Sequence, residues 1–207
     1  MKATKFFIPF VILAVISSSC AKIFYSPDAY SLAKNHKTIA ILPPTVSIAA
    51  NQKIEAEAMK EQQKTESINF QREMYSWMLR RKMQGKISPE VQDVETTNAL
   101  LRNAGYPEKA LTTAELCEIL GVDGTLGSNY ALSKPMSQGA AIAVALFLGA
   151  WGSTNEVTVA LDIKDCENKK LLWNYNHKYS GSLGSSPAKL VDGLMQHASK
   201  KMPYMIN

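Results

Sequence analysis

Hydrophobic and polar positions alternate most regularly between Glu156 and Lys164. Val157, Val159, Leu161 and Ile163 fall on one side of an extended chain, with Glu156, Thr158, Asp162 and Lys164 on the other. This predicts a strand with one wet face. Asp165 to Lys169 reads as a polar connection, and the aromatic-rich run Leu171 to Tyr179 as the second strand of an antiparallel hairpin. Upstream, Thr38 to Leu42 is a short apolar run halted by Pro43 and Pro44, as in a buried strand that ends where backbone donors disappear. Phe70, Met74, Trp77 and Met78 recur at helical spacing and predict an amphipathic helix ending before Gly85. Before them, Asn51 to Glu66 favours helix but offers few positions to bury, which predicts an exposed or loosely held helix.

Val91 to Val94 suits a short strand, and Thr97 to Ala104 a helix stopped by Gly105. Thr112 with Glu115 forms a capping-box pattern that opens a helix running to Gly121. Val122 to Leu132 reads as a strand with internal glycines. Ser186 offers an N-cap and Pro187 a first helical position. The helix they open carries Leu190, Val191, Leu194, Met195 and Ala198 on one side and is closed by Pro203. The element order predicts a single α/β or α+β layered domain, with a mixed sheet, a C-terminal antiparallel hairpin and helices packed on it.

The first twenty residues follow none of these periods. Lys2 and Lys5 precede the apolar run Phe6 to Ile16, which is too short to span a bilayer and the right size for the core of a secretion signal. Ser17, Ser18 and Ser19 followed by Cys20 resemble the lipobox of bacterial lipoproteins, with Ser17 where that pattern commonly has leucine. The resemblance implies removal of residues 1–19 as a signal peptide and acylation of Cys20, palmitate-type chains then holding the protein to a membrane. Ordinary cleavage near Ser19, with Cys20 left as a plain thiol, is the other reading. Residues 20–37, which include Pro27, read as a lipidated tether, and 38–207 as the folded domain.

Charge changes the picture little. The formal +5 includes Lys2 and Lys5, and the longest basic cluster, Arg80-Arg81-Lys82, sits at a predicted helix C-terminus, where cations complement the helix dipole. Nucleic acid is not an expected partner. Cys117 lies in an apolar helical pattern and Cys166 in a polar turn. An oxidising envelope would permit a bond between them, but contexts so different argue against it. His36, His177 and His197 lack partners at metal-ligand spacing and read as surface or edge residues, so no metal and no cofactor are expected. No nucleophile elbow or phosphate loop occurs, and Gly181 to Ser186 reads as a flexible turn before a helix. Glu55, Glu57, Glu61 and Glu66, interleaved with lysines, read as a solvated helix face. No catalytic residues are expected.

Gly139 to Gly152 is different: apart from the Trp151 indole it carries no charged or hydrogen-bonding side chain. It is too short to span a membrane as a helix. Either it is a buried core element, or Ile142, Val144, Leu146, Phe147, Leu148 and Trp151 make contact with a membrane or a partner.

Taken in order, the lipobox, Ile41-Leu42-Pro43-Pro44, the helix end Glu118 to Gly124 and Leu171-Leu172-Trp173 resemble a group of small envelope lipoproteins. These are related to the curli-secretion channel lipoprotein and to the lipoprotein activators of penicillin-binding proteins, over roughly residues 37 to 202. The resemblance implies a fold similar to the N-terminal domain of TolB and no catalytic residues. It also implies a non-enzymatic lipoprotein that binds or scaffolds envelope proteins or its own copies. A subunit of an oligomeric outer-membrane secretion complex is the alternative. Ala21-Lys22 lacks the aspartate that retains lipoproteins in the inner membrane, so the expected location is the outer membrane, facing the periplasm.

Overall fold

The structure is a computed structural model, and it describes residues 21–49, 56–133, 156–180 and 187–206. Seven strands form one mixed sheet: β1 (Lys22–Tyr25), β2 (Thr38–Ile41), β3 (Thr45–Ile48), β4 (Glu90–Val91), β5 (Gly124–Ser133), β6 (Glu156–Asp165) and β7 (Lys170–Ser180). Five α-helices are described: α1 (Ala29–Asn35), α2 (Ala56–Met83), α3 (Val94–Asn103), α4 (Thr113–Leu120) and α5 (Pro187–Ala198). The sheet order is β1-β7-β6-β5-β2-β4, with β3 also pairing β5. Pairings around β2 are parallel, while β5-β6, β6-β7 and β7-β1 are antiparallel. The α/β domain with a mixed sheet and a C-terminal hairpin is therefore present as expected.

The alternation in β6 works as its sequence demands. Val157, Val159, Leu161 and Ile163 are all buried, whereas Thr158, Ala160, Asp162 and Lys164 retain partial exposure on the opposite face. The buried face meets α1, α2 and α5 through Ala29, Ala33, Phe70, Met74, Trp77, Leu190 and Leu194. Phe70 stacks on Tyr130 of β5 at 4.1 Å between ring centroids. A second cluster lies on the other face of β2. There Ala40 and Leu42 meet Leu101 of α3 and Leu116 and Leu120 of α4.

Helix α2 contains both behaviours expected of its sequence, except that Glu66, expected on the solvated face, is 4% exposed because the helix turns it in where the buried stripe begins. Its first ten residues contain no buried position, and burial begins at Glu66 and continues through Phe70, Met74, Trp77 and Met78. The Thr112–Glu115 capping box is present, and Gly121 ends α4 in the left-handed region at φ 61. Gly105 follows α3 at φ 83.

The expected tether over 20–37 is corrected by the structure from Lys22 onward. β1 pairs with the outer edge of β7 in the register Lys22↔Asn176 to Tyr25↔Trp173, and α1 buries Ala29 and Ala33 completely. Pro27 lies in the turn between β1 and α1, where it interrupts no hydrogen-bonded ladder. Ile23 and Tyr25 pack against the core while Lys22 and Phe24 face outward, so these residues belong to the domain.

Candidate functional site

Two ends of the sheet carry the residues that bear on function. At one end the strands finish together. Ser133 pairs with Glu156, Glu156 with Ser180, and the last residue of β3, Ile48, lies opposite Leu132. The chain leaves the sheet after Ser133 and returns at Glu156 at this end, and β7 finishes here at Ser180. β1 runs away from the same end, its first residue Lys22 lying opposite Asn176, four positions short of Ser180. A single residue, Ala21, separates β1 from Cys20. Two residues of extended chain, at about 3.4 Å each, span at most about 7 Å. Cys20 itself, the signal segment, the loop 181–186 and the apolar residues Ile142, Val144, Leu146, Phe147, Leu148 and Trp151 lie outside the described residues.

At the opposite end, a buried polar chain joins three distant segments. His36 follows α1, and its Nε2 lies 2.8 Å from Oδ1 of Asp165, the last residue of β6. Its Nδ1 lies 2.8 Å from the hydroxyl of Tyr204 in the C-terminal tail. An ionised Asp165 accepts from Nε2–H, and Nδ1 shares a hydrogen bond with the Tyr204 hydroxyl, its direction following the ring's tautomer. The other Asp165 oxygen accepts from the backbone amide and side chain of Asn168, closing the β6–β7 turn. Burial pushes the Asp165 carboxyl up, but the hydrogen bonds from His36 and Asn168 outweigh it and hold the group below its ordinary value. Burial, then the charges of Asp165 and Asp123, push the Tyr204 hydroxyl well above the usual phenol range. His36 is therefore not the surface residue expected from sequence. It is 5% exposed, because the end of α1 turns it inward against β5 and the tail.

The first residue of β5 is shaped around this contact. A Cβ on Gly124 would lie 2.5 Å from His36 Nδ1 and 2.8 Å from the Tyr204 hydroxyl. Gly124→Ala is accordingly expected to drive the ring off Tyr204 and to destabilise the fold by about 1–3 kcal/mol, the cost of a broken buried hydrogen bond and overpacking. The stability of Gly124→Ala in urea melts checks this, and a variant as stable as the wild type would show that the ring moves freely.

The Asp165 interaction also sets an acid limb. Its folded pKa is depressed, so its contribution is complete above the unfolded carboxylate value near about 4 and is lost as pH falls through the folded value. Urea melts of wild type and Asp165→Asn from pH 6 downward are expected to differ most at pH 6 and to converge in acid. A constant difference would contradict the assignment.

Beside this chain, Cys117 of α4 and Cys166 of the β6–β7 turn form a disulfide, contrary to the expectation drawn from their different contexts. The turn folds back over the inner face of α4, where the Cys166 amide donates to the Asp123 carbonyl and its side chain packs with Leu116 and Leu120. Asp123 in turn accepts from the amides of Lys37 and Thr38 through one carboxylate oxygen, at 2.8 Å each. A groove of about 480 Å³ lies over this region, between α1, α4 and the turn. The carboxylates of Asp123 and Asp165 and the ring of His36, which reach it, are already engaged in holding the chain together. The Tyr204 oxygen at the end of the relay is sealed, since that residue is 0% exposed.

Among the described residues, no group of three or more His, Cys, Asp or Glu could hold a metal ion. No described helix is long and apolar enough to cross a membrane. His177 sits half-buried on β7, edge-on to Tyr179 at 4.1 Å, and burial followed by the proximity of His197 lowers its pKa.

No family model matches the chain. No curated protein sequence matches it either. Solved structures similar to it include lipoprotein GNA1162 from Neisseria meningitidis, at 14% identity and a TM-score of 0.45, over 79% of this chain and 94% of that one. The PelC dodecamer from Paraburkholderia phytofirmans matches at 11% identity and a TM-score of 0.39, over 91% of this chain and 98% of that one. The C-terminal domain of LpoB from Salmonella enterica matches at 9% identity and a TM-score of 0.35, over 70% of this chain and 82% of that one.

Proposed function

We propose that this protein is a non-enzymatic envelope lipoprotein, acylated at Cys20, whose domain binds or scaffolds another envelope protein at the periplasmic face of the outer membrane. The observation that carries the reading is the direction of β1. With one residue between Cys20 and the sheet, an acylated Cys20 would bring to the bilayer the end of the domain at which residues 134–155 leave and return. On this reading the apolar segment whose two attachment points, Ser133 and Glu156, lie at that end meets lipid or a membrane-bound partner through Ile142, Val144, Leu146, Phe147, Leu148 and Trp151. The Cys117–Cys166 disulfide supports export, because such bonds persist in oxidising compartments. A sealed His36–Asp165–Tyr204 chain, committed to joining three segments, favours a binding role over catalysis.

Two substitutions test this. Cys20→Ser is expected to move the protein out of the membrane fraction or to leave uncleaved precursor, and fractionation identical to the wild type after signal removal would contradict it. In that Cys20→Ser background, Leu146→Lys with Leu148→Lys is expected to abolish residual membrane or partner association while cooperative unfolding persists. Loss of the fold would instead make the segment part of the core.

A further inference from the structure

The end of the domain remote from Cys20 carries a surface that the anchoring role leaves unused. α2 runs antiparallel to β2, as the Ser67 hydroxyl donating to Pro44 and the Gln71 side chain donating to Ile41 require, so its C-terminus lies at the far end of the sheet. Arg80, Arg81 and Lys82 close that helix, Lys86 follows it, and Lys200 and Lys201 lie beyond the end of α5. Two of these six cations have carboxylate partners: Arg80 meets Asp192 at 3.3 Å and Lys82 meets Glu90 at 2.8 Å. Arg81, Lys86, Lys200 and Lys201 have no carboxylate within ion-pair distance among the described residues. At this end of the domain four cations are thus without a carboxylate partner among the described residues: Arg81 and Lys86 next to Met83 in the chain, and Lys200 and Lys201 toward the β1 edge, where the Tyr25 hydroxyl donates to the Lys201 carbonyl.

It also exposes apolar side chains. Met83 is 88% exposed and Ile206 is 54% exposed, two of the four large hydrophobic residues exposed among the described residues. They share one site, because the Ile206 amide donates to the Lys86 carbonyl at 3.0 Å and Met205 forms a β-bridge with Ile87. The platform is held in place. The Tyr204 carbonyl accepts from the Ser88 amide, the Arg81 guanidinium lies 4.9 Å from the centre of the Trp77 ring, and Tyr204 is fixed by His36.

We infer that Met83, Lys86, Ile206 and the surrounding cations form a docking surface for an acidic, amphipathic segment of a partner protein, its carboxylates meeting the cations and its apolar side chains meeting Met83 and Ile206. Charge complementarity names the acidic character, and the two exposed apolar residues favour a protein segment over a purely polar polyanion. The inference rests on the proposed binding role for the identity of the function, but its test uses a protein that lacks the acylation site. It therefore stands or fails apart from acylation at Cys20.

The test uses the full chain with Cys20→Ser and a synthetic helical peptide with glutamates on one face and leucines on the other. A scrambled peptide of identical composition, vesicles containing phosphatidylglycerol and the protein alone at rising concentration serve as comparisons. The two-faced peptide is expected to bind at least tenfold more tightly than the scrambled one, and more weakly as salt is raised. Lys86→Glu with Lys200→Glu is expected to weaken it at least tenfold, and Met83→Ser with Ile206→Ser several-fold. Lys60→Glu, at the other end of the domain, is expected to leave it unchanged. All these side chains are exposed, so melting temperatures stay at the wild-type value. Equal binding of both peptides, retention of binding by the charge-reversed variant, or preference for the vesicles would overturn the proposal. So would self-association that the same substitutions abolish, since a second copy would then be the occupant.

Discussion

Val159→Asp is expected to unfold the domain, whereas Thr158→Asp one position away leaves it folded. Val159 is 0% exposed and lies between Tyr130 of β5 and His177 of β7 on the face covered by α2 and α5. A carboxylate there meets only the half-buried His177 on the flanking strands, whose pKa burial lowers, and burying it without a full counter-charge costs several kcal/mol. That is comparable with the whole stability of an ordinary domain, about 5–15 kcal/mol. Thr158 points to the opposite face, beside Ala131 and the exposed Lys178, and a charge there keeps access to water. Chemical denaturation of the two variants checks the difference, and coincident transitions would mean that the strand faces are assigned the wrong way round.

Opening the Cys117–Cys166 bond is expected to cost nearly as much. The cysteines are 49 positions apart, and closing a loop of that length removes unfolded-state entropy worth about 4 kcal/mol. The bond also clamps the β6–β7 turn, with Asp165 and its partner His36, onto α4. For a domain of this size the loss corresponds to a fall in melting temperature of roughly 8–16 °C. Calorimetry of the native protein with and without a thiol reductant, alongside Cys117→Ala with Cys166→Ala, measures it. If the reductant leaves the transition in place, the two sulfurs are not joined in solution.

How much of this was legible in the sequence depended on the length over which a pattern persists. The β6 alternation and the α2 stripe from Phe70 to Met78 each span two turns or more of their period, and both lie where the pattern puts them. β1 and β3 are four residues each, too short for alternation to stand above chance, and β1 also sits next to a proline. Leu172 and Trp173 are buried side by side because the register between β6 and β7 shifts beyond Ile163, which a strict period of two does not anticipate.

The polar site was hidden for a different reason. His36 meets Asp165 and Tyr204 across 129 and 168 positions, and neither partner stands out locally. Gly124 was the one available signal, a glycine at the start of a strand where a neighbour approaches closely, and it names no partner. Cys117 and Cys166 occupy a helix and a turn whose proximity only the tertiary fold creates.

The central claim is that Cys20 carries the anchor and that β1 begins two residues later, at Lys22. The most direct test is the intact mass of the protein extracted from membranes of cells expressing the full chain. The account predicts a chain that starts at Cys20 and carries the added mass of acyl groups, released as a modified N-terminal peptide. An unmodified Cys20, or a chain that starts elsewhere, would contradict it.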